Sequence, residues 1–378
     1  MTSADAPVAA SRRVSIDVFR GLTIAAMVIV NNPGDWGNVY GPLLHAEWNG
    51  WTPTDLIFPF FVFILGVSVT LSKRPQTAAS ILKRAVILYA FGFFLAIYPR
   101  FNFSIVRVMG VLPRLAICAL FAGFIYKVIV RLEEEARLQA VIIISAGILL
   151  TYWALLTFVP FPGGTPGDLT PAGNIGAWID RAVIGTNHLW RTSKTWDPEG
   201  LLSTLPAIAS ALTGIAAGLV LTGKRSDIEK VAVLISAGGA SMAAGLVWDN
   251  RFPINKSLWT SSYVLLTSGL AAIALAACYW FFDVNNRRRF LHPLIVMGRN
   301  PLALFVMSGF LVKTMTWIQI NAGDGKTVSL YNWIYKHAFL PLGLGGPKNT
   351  SLAFALAMLA FLYVPLLFLH RKQLFLRA

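Results

Sequence analysis

Ten apolar stretches, each close to twenty residues long, follow one another along this chain: 14–32, 54–73, 80–98, 108–130, 138–159, 201–223, 228–248, 258–282, 294–316 and 350–370. As a helix, a stretch of about 17–25 apolar residues matches the thickness of a bilayer core. Lipid offers the backbone no hydrogen-bond partners, so a spanning segment must satisfy its own, and runs of this length do so as α-helices. The sequence therefore predicts an all-α integral membrane protein, about ten transmembrane helices in a single bundle. Composition agrees: 56% of the 378 residues are hydrophobic and 13% charged, about half the charged share of a soluble domain. No internal repeat or low-complexity linker divides the chain, so 1–378 reads as one polytopic domain.

The basic residues choose an orientation. Arg12 and Arg13 precede the first span. Lys73, Arg74, Lys83 and Arg84 flank the loop between spans 2 and 3, and Lys127, Arg131 and Arg137 flank that between spans 4 and 5. Lys224, Arg225 and Lys230 follow span 6, Arg287, Arg288 and Arg289 follow span 8, and Arg371, Lys372 and Arg377 form the tail. Short basic loops mark the cytoplasmic face. Both termini are thus expected in the cytoplasm, with 1–13 as a short tail and the first run as a retained span, since no small-residue cleavage site follows it. The net charge of +15 is spent on these anchors. No basic face with interleaved aromatics exists, which argues against nucleic acid. The opposite loops, 33–53, 99–107, 160–200, 249–257 and 317–349, are richer in Trp, Gly, Pro and Asn. The long periplasmic loop 160–200 and its neighbours point to a ligand met from outside, because long loops are often functional. Cys118 and Cys278 sit within apolar runs and read as packing residues.

Polar groups at a span are functional candidates, since lipid makes them costly. The segment "HAEWNGWTPTDLIFPFFVF", 45–63, concentrates them at the lip of span 2. Thr54 is expected to cap that span, with Asp55 in its first turn, where the helix dipole favours an anion. Capping accounts for Asp55 but not for His45, which has the chemistry of a general base or an acyl acceptor. Glu47, Trp48 and Asn49 beside it offer contacts to a polar ligand. Asn31 and Asn32 end span 1, as caps or as functional amides. Asp17 and Arg20 lie three apart at its inner end and can pair. Arg299 and Asn300, in "HPLIVMGRNPLALF", fall at the depth of Arg20, and two arginines at one depth can hold phosphates bidentately. Arg114, in "RVMGVLPRLAI", is either a ligand contact or a residue snorkelling to the outer interface. His188, with Asp197 and Glu199 following it, is the second histidine of an outer loop. No hydrolase, zinc-protease or phosphate-loop motif occurs, and no metal is expected from the ligand spacing.

Several segments in this order resemble one family: "DVFRGLTIAAMVIVNNPG", "HAEWNGWTPTDLIFPFFVFILGVS", "GVLPRLAI", "LTPAGNIGAWIDR", "DPEGLLSTLPAI", "NKSLWTSSYVLLTSGLA" and "GRNPLALFVMS". They are similar to the heparan-α-glucosaminide N-acetyltransferase family, in particular its bacterial NagX-type members, within the transmembrane acyltransferase superfamily. The family's lysosomal member carries a further luminal region and span ahead of the matched part, and Pro113 stands where the family usually has glutamine. The resemblance implies acetyl transfer from cytoplasmic acetyl-CoA to the amine of a glucosamine-type sugar, in a bacterial inner membrane, by a homodimer. It places the catalytic histidine on His45 and the catalytic asparagine on Asn31, with Asn32 as the alternative. Asp55 would fix the imidazole. Arg20, Arg114, Arg299 and Asn300 would hold acetyl-CoA, and Glu47, Trp48, Asn49, His188, Asp197 and Glu199 the acceptor. Acetyl-histidine and direct transfer both stay open. The rival reading, an amino-sugar or cell-wall-fragment transporter, would need paired half-helices or pseudo-repeats.

Overall fold

The computed structural model describes residues 13–72, 76–322 and 326–376. Arg12, Lys73, Arg74 and Arg377, part of the charge argument above, lie outside the described residues. The helices in chain order are α1 (Val14–Asn31), α2 (Ile57–Thr70), α3 (Ala78–Ile97), α4 (Val111–Ile129), α5 (Glu134–Phe158), α6 (Ile175–Val183), α7 (Thr204–Thr222), α8 (Asp227–Asp249), α9 (Ser261–Cys278), α10 (His292–Arg299), α11 (Pro301–Trp317), α12 (Leu330–Ile334) and α13 (Pro347–Arg371). Two three-residue strands, β1 (Gln319–Asn321) and β2 (Thr327–Ser329), pair antiparallel after α11. Among the described residues, nine helices are long and apolar enough to cross a bilayer, or ten if α10 and α11 together make one crossing. The chain is a multi-pass membrane protein.

The centre of the bundle is α1, α2, α7 and α9, whose side chains are the most deeply buried, while α3, α5, α8 and α13 show mostly exposed apolar faces. Lipid is as apolar as leucine, so helix contact in a membrane depends on close backbone approach. The contact between α2 and α7 is made by glycines. A Cβ on Gly66 would meet the carbonyl oxygen of Ala211 at 1.8 Å, and one on Gly214 would meet that of Phe63 at 1.9 Å. Hydroxyls inside the bundle are satisfied within their own helices or across to a neighbour, as in Thr23 to the Phe19 carbonyl and Thr213 to Ser268.

Two sequence expectations change. Span 9, read as one run over 294–316, is broken: α10 and α11 meet at 82° across Asn300. Pro301 has no N–H to continue the ladder, and the Asn300 amide turns to the C-terminal segment, donating to the Leu374 carbonyl (3.0 Å) and accepting from the Leu376 N–H (2.9 Å). Thr54 is not the cap of the segment leading into α2. Its hydroxyl donates to Pro42, while Thr52 and Asp55 share the capping contacts. At the other end of the bundle the chain after α9 widens into a π-helical turn, Tyr279–Val284, and brings Asp283 to the start of α1, where its carboxylate accepts the Val14 N–H at 2.9 Å. Arg13 donates to the Leu221 carbonyl and lies over the Tyr279 ring. These contacts fix the rotation of α1, on which both ends of the site depend.

Candidate active site

At one end of the bundle a lip is built around Asp55. It is 1% exposed and gathers an unusual number of donors: the N–H groups of Ala46 and Thr52 at 3.0 Å each, the Thr52 hydroxyl at 3.2 Å and His45 Nδ1 at 2.7 Å. Its backbone carbonyl accepts from Tyr263 of α9. A buried carboxylate needs such partners, and the loop 45–52 is folded back over α2 to supply them. One consequence is chemical. Nδ1 of His45 donates to the Asp55 carboxylate, so in the neutral ring the lone pair lies on Nε2, and the ring stays half exposed at the surface.

Lys256, in the loop between α8 and α9, completes the cluster. Its Nζ lies 3.5 Å from Asp55 Oδ1, 2.9 Å from His45 Nδ1 and 3.2 Å from Nε2. Burial pushes the Lys256 ammonium below the ordinary lysine range, and the charges of Asp55 and Glu199 oppose that fall. No sequence motif points to this lysine. The only trace is its position in "NKSLW", next to Asn255, whose amide donates to Asn49 at 3.1 Å and so ties the two loops together.

The remaining candidates at this end separate. Trp48 donates from Nε1 to Leu169 and packs edge-on against Trp196, which meets Trp190 in the same way. Glu47 is exposed at the surface. His188 does not join Asp197 and Glu199, since its Nδ1 contacts the Val106 carbonyl at 2.8 Å. Those two carboxylates bind Arg107 instead, Asp197 through both oxygens. Burial alone would lower the Arg107 guanidinium, but its hydrogen bonds and charge attraction with Asp197 and Glu199 hold it above the ordinary arginine range. Arg114 does not snorkel. It is fully buried under the lip, where it donates to Gly200 and Ser203 and lies 5.0 Å over the Trp259 ring.

At the other end of the bundle a cavity of about 1290 Å³ is lined by Arg13, Arg20, Lys83, Arg84 and Arg299, with Asp17 as its acid. It is larger than the roughly 300–1,000 Å³ of most small-molecule clefts. Arg20 pairs with Asp17 at 3.6 Å and donates to the Ser68 hydroxyl. Arg299 stacks on Phe375. Thus Arg20 and Arg299 share one wall-to-wall space, whereas Arg114 and Asn300 are not among its lining residues. Deeper in, the lining turns apolar through Ile24, Met27, Phe61, Leu112 and Phe305.

Helix geometry connects the two ends. Along α1 the cavity follows Asp17, Arg20, Ile24 and Met27, a spacing of three and four that keeps one face. The next position on that face is Asn31, one turn above Met27, at the end of α1. Asn31 is exposed there, while Asn32 is 2% exposed with its amide donating to Val28 and to Ser308 on α11. Only Asn31 continues the stripe. From Arg20 to Asn31 the helix rises about 16 Å.

The sequence model of "Heparan-alpha-glucosaminide N-acetyltransferase, catalytic" matches residues 12–233, which includes His45, Asp55, Arg114 and the α1 stripe. The heparan-alpha-glucosaminide N-acetyltransferase of Homo sapiens is 30% identical over 355 residues, covering 77% of this chain and 52% of its own length. That of Mus musculus is 31% identical over 353 residues, covering 79% and 53%. The chain spans about half the length of the curated relatives it matches. On the family match and these identities, the chain belongs to the heparan-α-glucosaminide N-acetyltransferase catalytic family.

Proposed function

We propose that this chain is a transmembrane acetyltransferase that moves an acetyl group from acetyl-CoA, taken up on the cytoplasmic side, to the amine of a glucosamine-type sugar on the opposite side. The observation that carries this reading is the pairing of a basic cavity at one end of α1 with a histidine–carboxylate lip at the other. The cavity suits the donor chemically. Its cations match the phosphates of the nucleotide end, its apolar depth matches a slender uncharged arm, and the Asp17–Met27 stripe leads toward Asn31.

At the lip, Asp55 holds His45 in the tautomer whose Nε2 accepts a proton. In direct transfer the acceptor amine gives that proton to Nε2 as its nitrogen bonds to the acetyl carbon. The carbon–sulfur bond breaks, and the proton passes to the departing sulfur. In the two-step route Nε2 first takes the acetyl group as the carbon–sulfur bond breaks and the thiolate departs; the amine then displaces the imidazole, and the proton it gives up passes to the freed Nε2. In both routes the carbonyl oxygen gains charge, and the exposed amide of Asn31 would donate to it. Trp48, with Trp190 and Trp196 beside it, would meet the apolar face of a sugar ring, with Glu47 and Asn49 at its hydroxyls. Asp197 and Glu199 would act on the acceptor side only through Arg107, and His188 from the loop edge.

The test is incubation of purified protein with labelled acetyl-CoA and a panel of amino sugars, with the product identified by mass. An acetylated amino sugar that forms with the intact chain and not with His45→Ala supports the reading. Donor binding without transfer to any amine rejects it. Without acceptor, a brief incubation followed by acid quench distinguishes the two routes, since only the two-step route leaves labelled acetyl on the protein.

A further inference from the structure

A histidine beside a buried carboxylate carries a built-in conflict. The pair makes a good hydrogen bond, but an anion that close favours the imidazolium, and an imidazolium cannot accept a proton. Asp55 is nearly inaccessible to water, so its charge is poorly screened.

Lys256 stands where it can resolve that conflict. Its Nζ is almost equidistant from the two ring nitrogens, 2.9 Å and 3.2 Å. An in-plane approach at those distances would drive it into Cε1. The ammonium therefore lies over the ring, off the axis of the Nε2 lone pair, and at the same time reaches Asp55 Oδ1 at 3.5 Å. A cation over a neutral ring is attracted to it, and over an imidazolium it is repelled. The other charged or titratable groups around the cluster are Glu199 and Arg114, of opposite sign, Tyr263, whose hydroxyl is committed to the Asp55 carbonyl, and Glu47 on the exposed loop. Among the described residues, Lys256 is the one cation in contact with the ring.

We propose that Lys256 is a positioning residue: its ammonium, lodged against both Asp55 and His45, neutralises the carboxylate and keeps the imidazole in its neutral form, with Nε2 open to a proton. The consequence for rate rests on the role of His45 proposed above. The consequence for His45 itself does not, and the two are measured separately.

The experiment follows carbethoxylation of His45 by diethyl pyrocarbonate across pH, resolved on the His45 peptide by mass spectrometry. The reagent attacks only the neutral imidazole, so the midpoint reports the state of the ring without any transfer. In Lys256→Met the midpoint should rise by about one unit or more, the size expected when a neighbouring like charge is removed. Lys256→Gln, which keeps a donor without the charge, should give the same shift, and Lys256→Arg should stay near the parent. The acid limb of kcat/KM for transfer should move with it, with activity largely restored at higher pH. An unchanged or lowered midpoint in both Met and Gln variants overturns the proposal. So does a uniform loss of activity at all pH values with no shift. A shifted midpoint with an unmoved rate profile would leave Lys256 as assigned and remove His45 from the mechanism.

Discussion

At the scale of single residues, neighbours of similar type carry different expectations. His45→Ala removes a half-exposed ring and leaves no large void, so stability should change little, while transfer should fall by about 10²–10⁴-fold if the ring is a base. Rates in detergent or liposomes, beside a melting curve of the same sample, check both halves. The adjacent asparagines make a sharper pair. Asn31→Ala should lower kcat by about 10²-fold, the order seen when one oxyanion donor is lost, with little change in melting. Asn32→Ala should do the reverse: it removes an amide held by Val28 and Ser308, at a cost of about 1–3 kcal/mol, and should leave the turnover of folded protein near normal. Equal loss of activity in both would put the amide's role elsewhere.

At the scale of elements, the α1 stripe and the α2–α7 contact give separate tests. Arg20→Ala or Arg299→Ala should weaken binding of acetyl-CoA about tenfold or more and leave acceptor KM unchanged, as measured by equilibrium binding and by kinetics with each substrate varied. Met27→Trp narrows the apolar end of the cavity, so donor binding should persist while kcat drops. Gly214→Leu would place a side chain where the Phe63 carbonyl already sits, and should prevent folding of the bundle rather than tune activity. The short helix α6 adds a pH term. Burial raises Asp180 to about 6. An acid whose folded pKa is raised stabilises the protein when protonated, so this contribution is present below about pH 4 and lost as pH rises to about 6. Melting temperature should decline over that window, and Asp180→Asn should flatten it.

At the scale of the whole molecule, the orientation inferred from charge is a prediction with a simple readout. Native Cys118 and Cys278 are buried, so single cysteines at Thr165 and Arg225 can be labelled against a quiet background. With both termini in the cytoplasm, Thr165→Cys should react from outside intact cells and Arg225→Cys only after lysis. The opposite pattern reverses the molecule. What could be read in advance follows from range. Spans are local, and lipid imposes their length, so nearly all were legible. His45 and Asp55 are ten positions apart on one loop, so their meeting was legible too. Lys256 comes to the same cluster from 211 positions away from His45, and Arg107 claims Asp197 across 90. A single sequence contains no pattern that announces either. The break at Asn300 was half legible: Pro301 warned of it, but the bonds from Leu374 and Leu376 that stabilise it are again distant.

The stripe on α1 has a consequence for how this chain can vary. Arg20 and Asn31 share a face because eleven residues make just over three whole turns. Substituting Ile24 or Met27 with another apolar residue alters packing and leaves that phase intact. Inserting or deleting one residue between them would swing Asn31 by about 100°, out of line with the cavity, while every side chain in the helix stayed chemically the same. Along this stretch the chain should accept changes of letter far more readily than changes of length.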